Sequence, residues 1–297
     1  MTSNSFSKKN RGGFTLVEIL VVIAVIGLLS SIIFAITRGA DEQGRIAKSL
    51  HFSQHLQNSL GTYAAGIWSF DEGAAGTCSS GKDVCDVSGW GNDGTISGAN
   101  YTTDAPSGTG YALSFNGVSD YISVSKVKDL GETTVTLWFN TDQPNQTKGI
   151  IDFRPGLSYG SFNFNWTGDG RPLLYLNSSN YRYFSNISEY MDGKWHFLVL
   201  YIKGDGQYDI GEATLSIDTT NIGLSSVSNG NSPLGWTGLR IGMSDYGYFS
   251  GLIDEVCAYS TSLSLSRVRS QYYAGLERLL AVDQITEQEY QGRLVIH

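Results

Sequence analysis

The chain has 297 residues, a formal charge of −8, and 5 prolines against 36 glycines, 17 tyrosines and 13 phenylalanines. An acidic chain with only scattered basic residues is poorly suited to neutralising phosphates, which argues against nucleic acid as a partner. The length suffices for one long helix plus one large or two small domains, and the glycine-rich, aromatic-rich composition suits many short strands joined by turns.

The first predicted element is a helix. Residues 14–37, FTLVEILVVIAVIGLLSSIIFAIT, carry no charge other than Glu18. At 1.5 Å per residue this run reaches about 36 Å, enough to cross a hydrocarbon core of about 30 Å. Lys8, Lys9 and Arg11 precede it with no acid among them, which sets the N-terminus on the cytoplasmic side. No A-x-A-like cleavage site follows the run, so an ordinary secretory signal fits poorly. Glu18 is the anomaly, because a carboxylate at the centre of a membrane helix costs roughly 2.5–3.5 kcal/mol. Such a group is a functional candidate with a partner to be named. Farther on, Ile46, Leu50, Leu56 and Leu60 keep a roughly helical spacing. A helix from Phe14 to Leu60 would extend about 70 Å.

Gly13, Phe14, Thr15, Leu16, Val17 and Glu18, after a short basic leader, resemble the processing site of type IV prepilins and pseudopilins. The resemblance implies a leader over 1–13, cut after Gly13 by a membrane-embedded prepilin peptidase that then methylates Phe14. It implies a pilin helix over 14–61 with its transmembrane part at 14–37. It also supplies the partner for Glu18, the Phe14 amine of an adjacent pilin subunit. In low dielectric such a pair registers one subunit against the next, since either charge left alone is costly. The implied precursor sits in the inner membrane with a cytoplasmic N-terminus and moves to a cell-surface pilus or a periplasmic pseudopilus. Removing Lys8, Lys9 and Arg11 with the leader takes the charge to −8 − 3 = −11. Ala35 stands where many bacterial pilins carry a proline.

From residue 62 to 262 the pattern is strand after strand. The runs are IWSF (67–70), YALSF (111–115), DYISV (120–124), TTVTLWF (133–139), SFNFNW (161–166), WHFLVLYI (195–202), ATLSID (213–218) and GLIDEVCAY (251–259). Glycine and asparagine turns such as GWGND, NGVSD, GDG and SNGNS separate them. Strands of this density predict an antiparallel sandwich or jelly roll. The fold class is therefore α+β, a long N-terminal helix followed by a β-sandwich and a short helical C-terminus over 263–297.

The ordered segments W68-x-F-D-E-G, D86-V-S-G-W-G-N-D-G, Y111-A-L-S-F-N-G-V-S-D-Y, V135-T-L-W-F, D192-G-K-W-H and G251-L-I-D-E-V-x-x-Y are similar to the laminin-G-like, concanavalin A-like jelly rolls. The resemblance implies that Trp68, Phe115, Trp138 and Trp195 are core residues. It also implies a structural calcium held by Asp254, with Asp71 and Asp120 as helpers, since calcium takes six to eight oxygen ligands. Jelly rolls of this kind bind in the concave sheet or at loops near the ion. Tyr181, Tyr183, Tyr246 and Tyr248 lie in polar or glycine-rich surroundings, NYRYF and DYGYF, and are the candidates for a carbohydrate or glycoprotein ligand.

Catalysis is not expected. Glycosidases on this fold need two carboxylates about 5–5.5 Å apart for retention, and the E-x-D-x-x-E spacing is absent. Glu132, Glu189 and Glu212 stand alone, and strand alternation sends Asp254 and Glu255 to opposite faces. His51, His55, His196 and His297 are scattered without zinc spacing. Cys78 and Cys85 flank the short loop SSGKDV, and a bridge there is geometrically reasonable in an oxidising compartment. Cys257, within a strand, reads as a buried thiol. Ser264 is positioned to cap a helix through Tyr273, and Thr286 with Glu289 forms a capping-box pattern.

Overall fold

The computed structural model describes residues 16–31, 62–106, 110–125, 127, 131–143, 148–153, 161–164, 169–177, 179–204, 208–228 and 238–294. The chain divides into two units, Met1–Ala47 and Lys48–His297. In the first, residues 16–31 form helix α1, with Glu18 and its apolar neighbours exposed. Its length is about 24 Å, and no helix among the described residues is long and apolar enough to cross a membrane. Gly13, Phe14 and the rest of the helix expected over 14–61 lie outside the described residues.

The second unit is a sandwich of two antiparallel sheets. The first contains β1 (Ala64–Trp68), β3 (Asn100–Thr102), β4 (Ala112–Asn116), β6 (Thr133–Asn140), β11 (Trp195–Gly204), β12 (Tyr208–Ile217), β13 (Thr220–Ile222) and β18 (Ser250–Tyr259). Its order is β13-β12-β11-β6-β18-β4-β3, with β1 also paired to β18. The second contains β2 (Gly94–Ser97), β5 (Tyr121–Val124), β7 (Lys148–Asp152), β8 (Ser161–Phe164), β9 (Leu173–Asn177), β10 (Asn180–Phe184), β14 (Leu224–Ser228) and β15 (Leu239–Ile241). It runs β14-β10-β9-β8-β7-β15-β5-β2. A small hairpin, β16 (Met243–Ser244) with β17 (Gly247–Tyr248), completes the strands.

Alternation along β6 explains the layering. Val135, Leu137 and Phe139 point into the space between the sheets, where they meet Leu198 and Leu200 of β11 and Leu174 and Leu176 of β9. Trp138 points the other way and joins Trp195, Phe197 and Val199 in a second cluster on the outer side of the first sheet. Helix α2 (Leu265–Ala281) covers that cluster with Val268, Tyr272, Leu276 and Leu279. These recur at helical spacing, and each apolar side chain of this size contributes about 1.5–3 kcal/mol on burial. The Tyr272 ring stacks on the Trp138 indole, with centroids 6.0 Å apart. Trp68, Phe115, Trp138 and Trp195 are all buried, as core residues should be.

Helix α2 runs past Tyr273 because the LERLL segment continues its apolar stripe, and it ends before Asp283, whose φ is 58°. Ser264 occupies the N-cap position, but its side chain contacts the Ser266 hydroxyl and bonds no backbone amide. Helix α3 (Glu287–Leu294) has the reciprocal box that its sequence predicts. The Glu289 N–H donates to Thr286 Oγ1 at 3.2 Å, and the Thr286 N–H donates to Glu289 Oε2 at 3.1 Å. Cys257 is buried, and burial followed by the Glu255 charge pushes its thiol up to about 12.

Candidate functional site

The outer side of the second sheet carries a row of tyrosines. On β10 the residues Asn180, Arg182 and Phe184 are buried, so alternation turns Tyr181 and Tyr183 outward. On β9 the buried Leu174 and Leu176 likewise turn Tyr175 outward, directly opposite Tyr181 in the antiparallel register. Opposed residues of this kind have Cβ atoms about 4.5–5.5 Å apart. The Tyr181 and Tyr183 rings meet edge to face at 5.7 Å, and the Arg171 guanidinium lies 5.2 Å from the Tyr183 centroid. Arg171 is itself positioned by Asp169 at 2.6 Å and by the Ser225 hydroxyl at 3.2 Å.

The row is extended by the β16–β17 hairpin, which lies on β7 because Gly149 has no side chain. A β-carbon there would stand 2.0 Å from the Ser244 nitrogen and 2.5 Å from the Gly247 oxygen. From the hairpin turn, the Tyr246 ring meets Tyr175 edge to face at 5.6 Å. Burial, then the adjacent Tyr175 hydroxyl with its hydrogen bond, pushes the Tyr246 phenol up to about 12. The Tyr246 phenol therefore keeps its hydrogen at physiological pH. Beside them Arg240 stands 3.7 Å from both Asp152 and Asp245, with its guanidinium 5.8 Å from the centre of the Tyr121 ring. Tyr248 pairs with Met243 on β16 and joins none of these ring contacts among the described residues. Tyr175 is the member that the sequence reading missed; its signal was the L-L-Y-L-N alternation that sets it apart from its leucine neighbours.

The carboxylates expected around calcium separate into two places. Asp254 is fully buried on β18, where its Oδ1 accepts the Glu255 N–H at 2.8 Å. Its Oδ2 has no hydrogen-bond partner among the described residues. Burial, the Glu255 charge and the Asp71 charge hold its carboxyl well above the usual range. Asp71 is exposed at its outer edge and accepts the Tyr111 N–H at 3.3 Å. The burial of its inner side and the Glu255 charge push it up to about 6. A bulge in β18, with Glu255 at a φ of 49°, breaks the alternation expected there, and the Glu255 charge acts on both Asp71 and Asp254. Arg278 of α2 offsets part of this charge through Glu255 at 2.9 Å.

Asp120 sits elsewhere. Its carboxylate accepts the Asn116 N–H at 2.9 Å and the Ser119 hydroxyl at 3.4 Å, closing the β4–β5 turn. It also fills the space where a β-carbon on Gly98 would stand. Asn116 pairs with Ser250, four residues before Asp254 on β18, a separation of about 13 Å at strand rise. Asp71 and Asp254 share one acidic surrounding, where the buried Asp254 Oδ2 has no partner among the described residues. Asp120 is a turn residue.

Cys78 and Cys85 are joined in a disulfide with Cα atoms 5.3 Å apart. Glu72 lies beside the two sulfurs, and its Oε1 accepts the Cys85 N–H at 2.9 Å. Within the same insert Asp86 accepts the amides of Ile67, Ser88 and Asn92, each within 3.0 Å. The acids of this loop therefore organise its backbone. Glu132 accepts the Tyr201 hydroxyl at 2.7 Å, and Glu212 pairs with Lys203 at 2.5 Å.

A two-sheet jelly roll with a helix over one sheet and an aromatic row on the other is a lectin-like fold. The chain belongs to the concanavalin A-like lectin/glucanases superfamily, which matches residues 116–269, and it carries the prokaryotic N-terminal methylation motif at residues 8–34. Among solved structures it is similar to the binding domain of botulinum neurotoxin DC in complex with SialylT. That match has 10% identity and a TM-score of 0.54, covering 73% of this chain and 52% of the other. It is also similar to the binding domain of Paraclostridial mosquitocidal protein 1, with 12% identity and a TM-score of 0.51, covering 73% and 53%. The chain spans about half the length of these binding domains, and the likeness is one of fold. No curated protein matches the chain.

Proposed function

We propose that the protein is a type IV pilin-like subunit of a cell-surface fibre whose head binds carbohydrate or glycoprotein without transforming it. The N-terminal methylation motif at residues 8–34 supports the assembly half of this reading. Cleavage after Gly13, methylation of Phe14 and pairing of Glu18 with a neighbouring subunit are its steps, with prepilin peptidase and other pilins as partners. The precursor is anchored in the inner membrane before it enters the fibre.

The observation that carries the binding half is the row Tyr183, Tyr181, Tyr175 and Tyr246 on one sheet face. Tyrosine rings offer flat apolar faces to the C–H side of a sugar ring, and their hydroxyls offer hydrogen bonds. Arg171 and Arg240 at the two ends add fixed donors. Calcium at Asp71 and Asp254 would supply the missing counter-charge and stiffen the junction between β18 and the loop after β1. The deciding experiment is a glycan array with the mature full-length protein, compared with the Tyr175→Ala/Tyr181→Ala variant. Specific binding that the variant loses supports the reading; no bound glycan, or equal binding by both proteins, overturns it.

A further inference from the structure

The outer side of the first sheet is only partly covered by α2. Beside the first turns of that helix, strands β11, β12 and β13 leave an open groove of about 550 Å³, within the ~300–1,000 Å³ range of small-ligand sites. Val199 and Val268 give it an apolar floor, and Tyr201, Thr219, Asn221 and Arg269 give it polar walls. Two of the wall groups are unsatisfied among the described residues. Thr219 is only 7% exposed, and its Oγ1 has no hydrogen-bond partner. Arg269 Nε is buried and has none either.

Arg269 also enters none of the ion pairs formed by the described residues. The acids nearest the groove are engaged elsewhere. Asp218, preceding Thr219, bonds His196 Nδ1 at 2.6 Å and the Phe197 N–H at 2.8 Å, and Glu132 takes the Tyr201 hydroxyl. Buried polar groups are nearly always paired, so two orphans lining one groove point to a missing partner. Thr219 holds its position at a φ of 67°, which is costly for a β-branched residue.

We infer that this groove binds an acidic saccharide, a uronic- or sialic-type residue, at a site separate from the tyrosine row. The guanidinium of Arg269 presents donors for a carboxylate. Thr219 Oγ1 and Asn221 are placed to bond sugar hydroxyls, and Val199 with Val268 meets the C–H face of the ring. A neutral sugar would leave the arginine unpaired, and a purely apolar ligand would leave both orphans unpaired.

The test is calorimetric titration of the mature full-length protein with trigalacturonate and with sialyllactose, and with methyl-esterified trigalacturonate and lactose as uncharged controls. Saturable binding of at least one acidic sugar is expected, weakening as salt is raised and absent for its uncharged counterpart. Arg269→Gln should weaken it at least tenfold, Arg269→Lys should retain part of it, and Tyr175→Ala/Tyr181→Ala should leave it unchanged. If Arg269→Gln fails to fold, Asn221→Ala on the exposed rim replaces it and should weaken binding severalfold. No saturable binding of either acidic sugar, equal binding of the uncharged forms, or undiminished binding by the groove variants would overturn the inference. Loss in the tyrosine variant alone would assign the acidic ligand to the tyrosine row and overturn it as well.

Discussion

The backbone of Gly275 lies so close to the Trp138 indole that a β-carbon there would come within 2.0 Å of Cζ2. The indole cannot swing aside, being held between Phe197 at 5.2 Å and Tyr272 at 6.0 Å. Alanine normally strengthens a helix by about 0.5–1 kcal/mol over glycine, but overpacking of a rigid core costs about 1–3 kcal/mol. Gly275→Ala should therefore destabilise the head by about 1–2 kcal/mol, a fall in melting temperature of roughly 2–8 °C for this size. Thermal denaturation of the fragment 62–297 measures it, and an unchanged or higher melt would mean that α2 does not sit against Trp138.

Processing is checked by mass. The mature protein should begin at Phe14 with a methylated amine, and Gly13→Glu should accumulate as an uncut precursor in the membrane fraction. Glu18→Val should insert into the membrane at least as well as the wild type, since a carboxylate is costly there, yet enter fibres poorly. Fibres of wild-type yield from Glu18→Val, or residues 1–13 retained in isolated fibres, would contradict the assembly half of the proposal.

The acids around Asp71 give a pH signature. Its folded value of about 6 lies above the ordinary 3.8, so the folded protein binds the extra proton between those values. Its contribution to stability is highest below pH 4, declines as pH rises toward 6, and stays unfavourable above it. Asp254, raised for the same reasons, acts in the same direction. In EDTA the contribution of this cluster should therefore be more favourable at pH 5 than at pH 7. Calcium at one hundred times its dissociation constant should restore about 2.7 kcal/mol, most visibly at pH 7. Asp254→Asn should remove the calcium response and flatten the pH slope, as read by melting curves. Identical melts in calcium and EDTA would exclude the ion and leave a protonated acid in its place.

Glycan recognition on the tyrosine row should depend on the pair that spans two strands. Tyr181→Ala removes contacts on both sides, to Tyr175 across the ladder and to Tyr183 along β10. It should cost at least tenfold in affinity for a glycan found on the array. Tyr248→Ala, outside the row, should cost less than threefold. The ratio of the two dissociation constants is the readout, and a ratio near one would detach binding from the row.

The strands were legible because burial imposes a period of two. The V-T-L-W-F run shows it, and β6 lies where that run predicts. What alternation alone misses is a second burial. Trp138 and Trp195 face away from the sandwich, and only the distant α2 makes that side a core. The tyrosine row was half legible for a similar reason. Tyr181, Tyr183 and Tyr246 stand in plainly polar local sequence, but Tyr175 reaches them through strand register and through a hairpin that Gly149 admits. Asp120 shows the converse limit. A carboxylate that closes a turn and one buried on a strand are the same residue type in similar company, and only the register of β4 against β18 separates them.

The pairing of β1 with β18 has a mechanical consequence. The described part of the head begins at residue 62, and Tyr63 accepts the Ser260 N–H at 2.8 Å. From there Ala64 to Trp68 run antiparallel to Tyr259 through Val256. In a fibre subunit of the proposed kind, anchored at one end and holding a surface at the other, tension would enter the head through β1. Pulled along their length, two paired strands must slide past each other, so their hydrogen bonds share the load and yield together. β18 then spreads the load into β6 and β4, its neighbours within the sheet. If the proposed fibre role holds, this pairing is the arrangement that would keep the head folded while it is pulled.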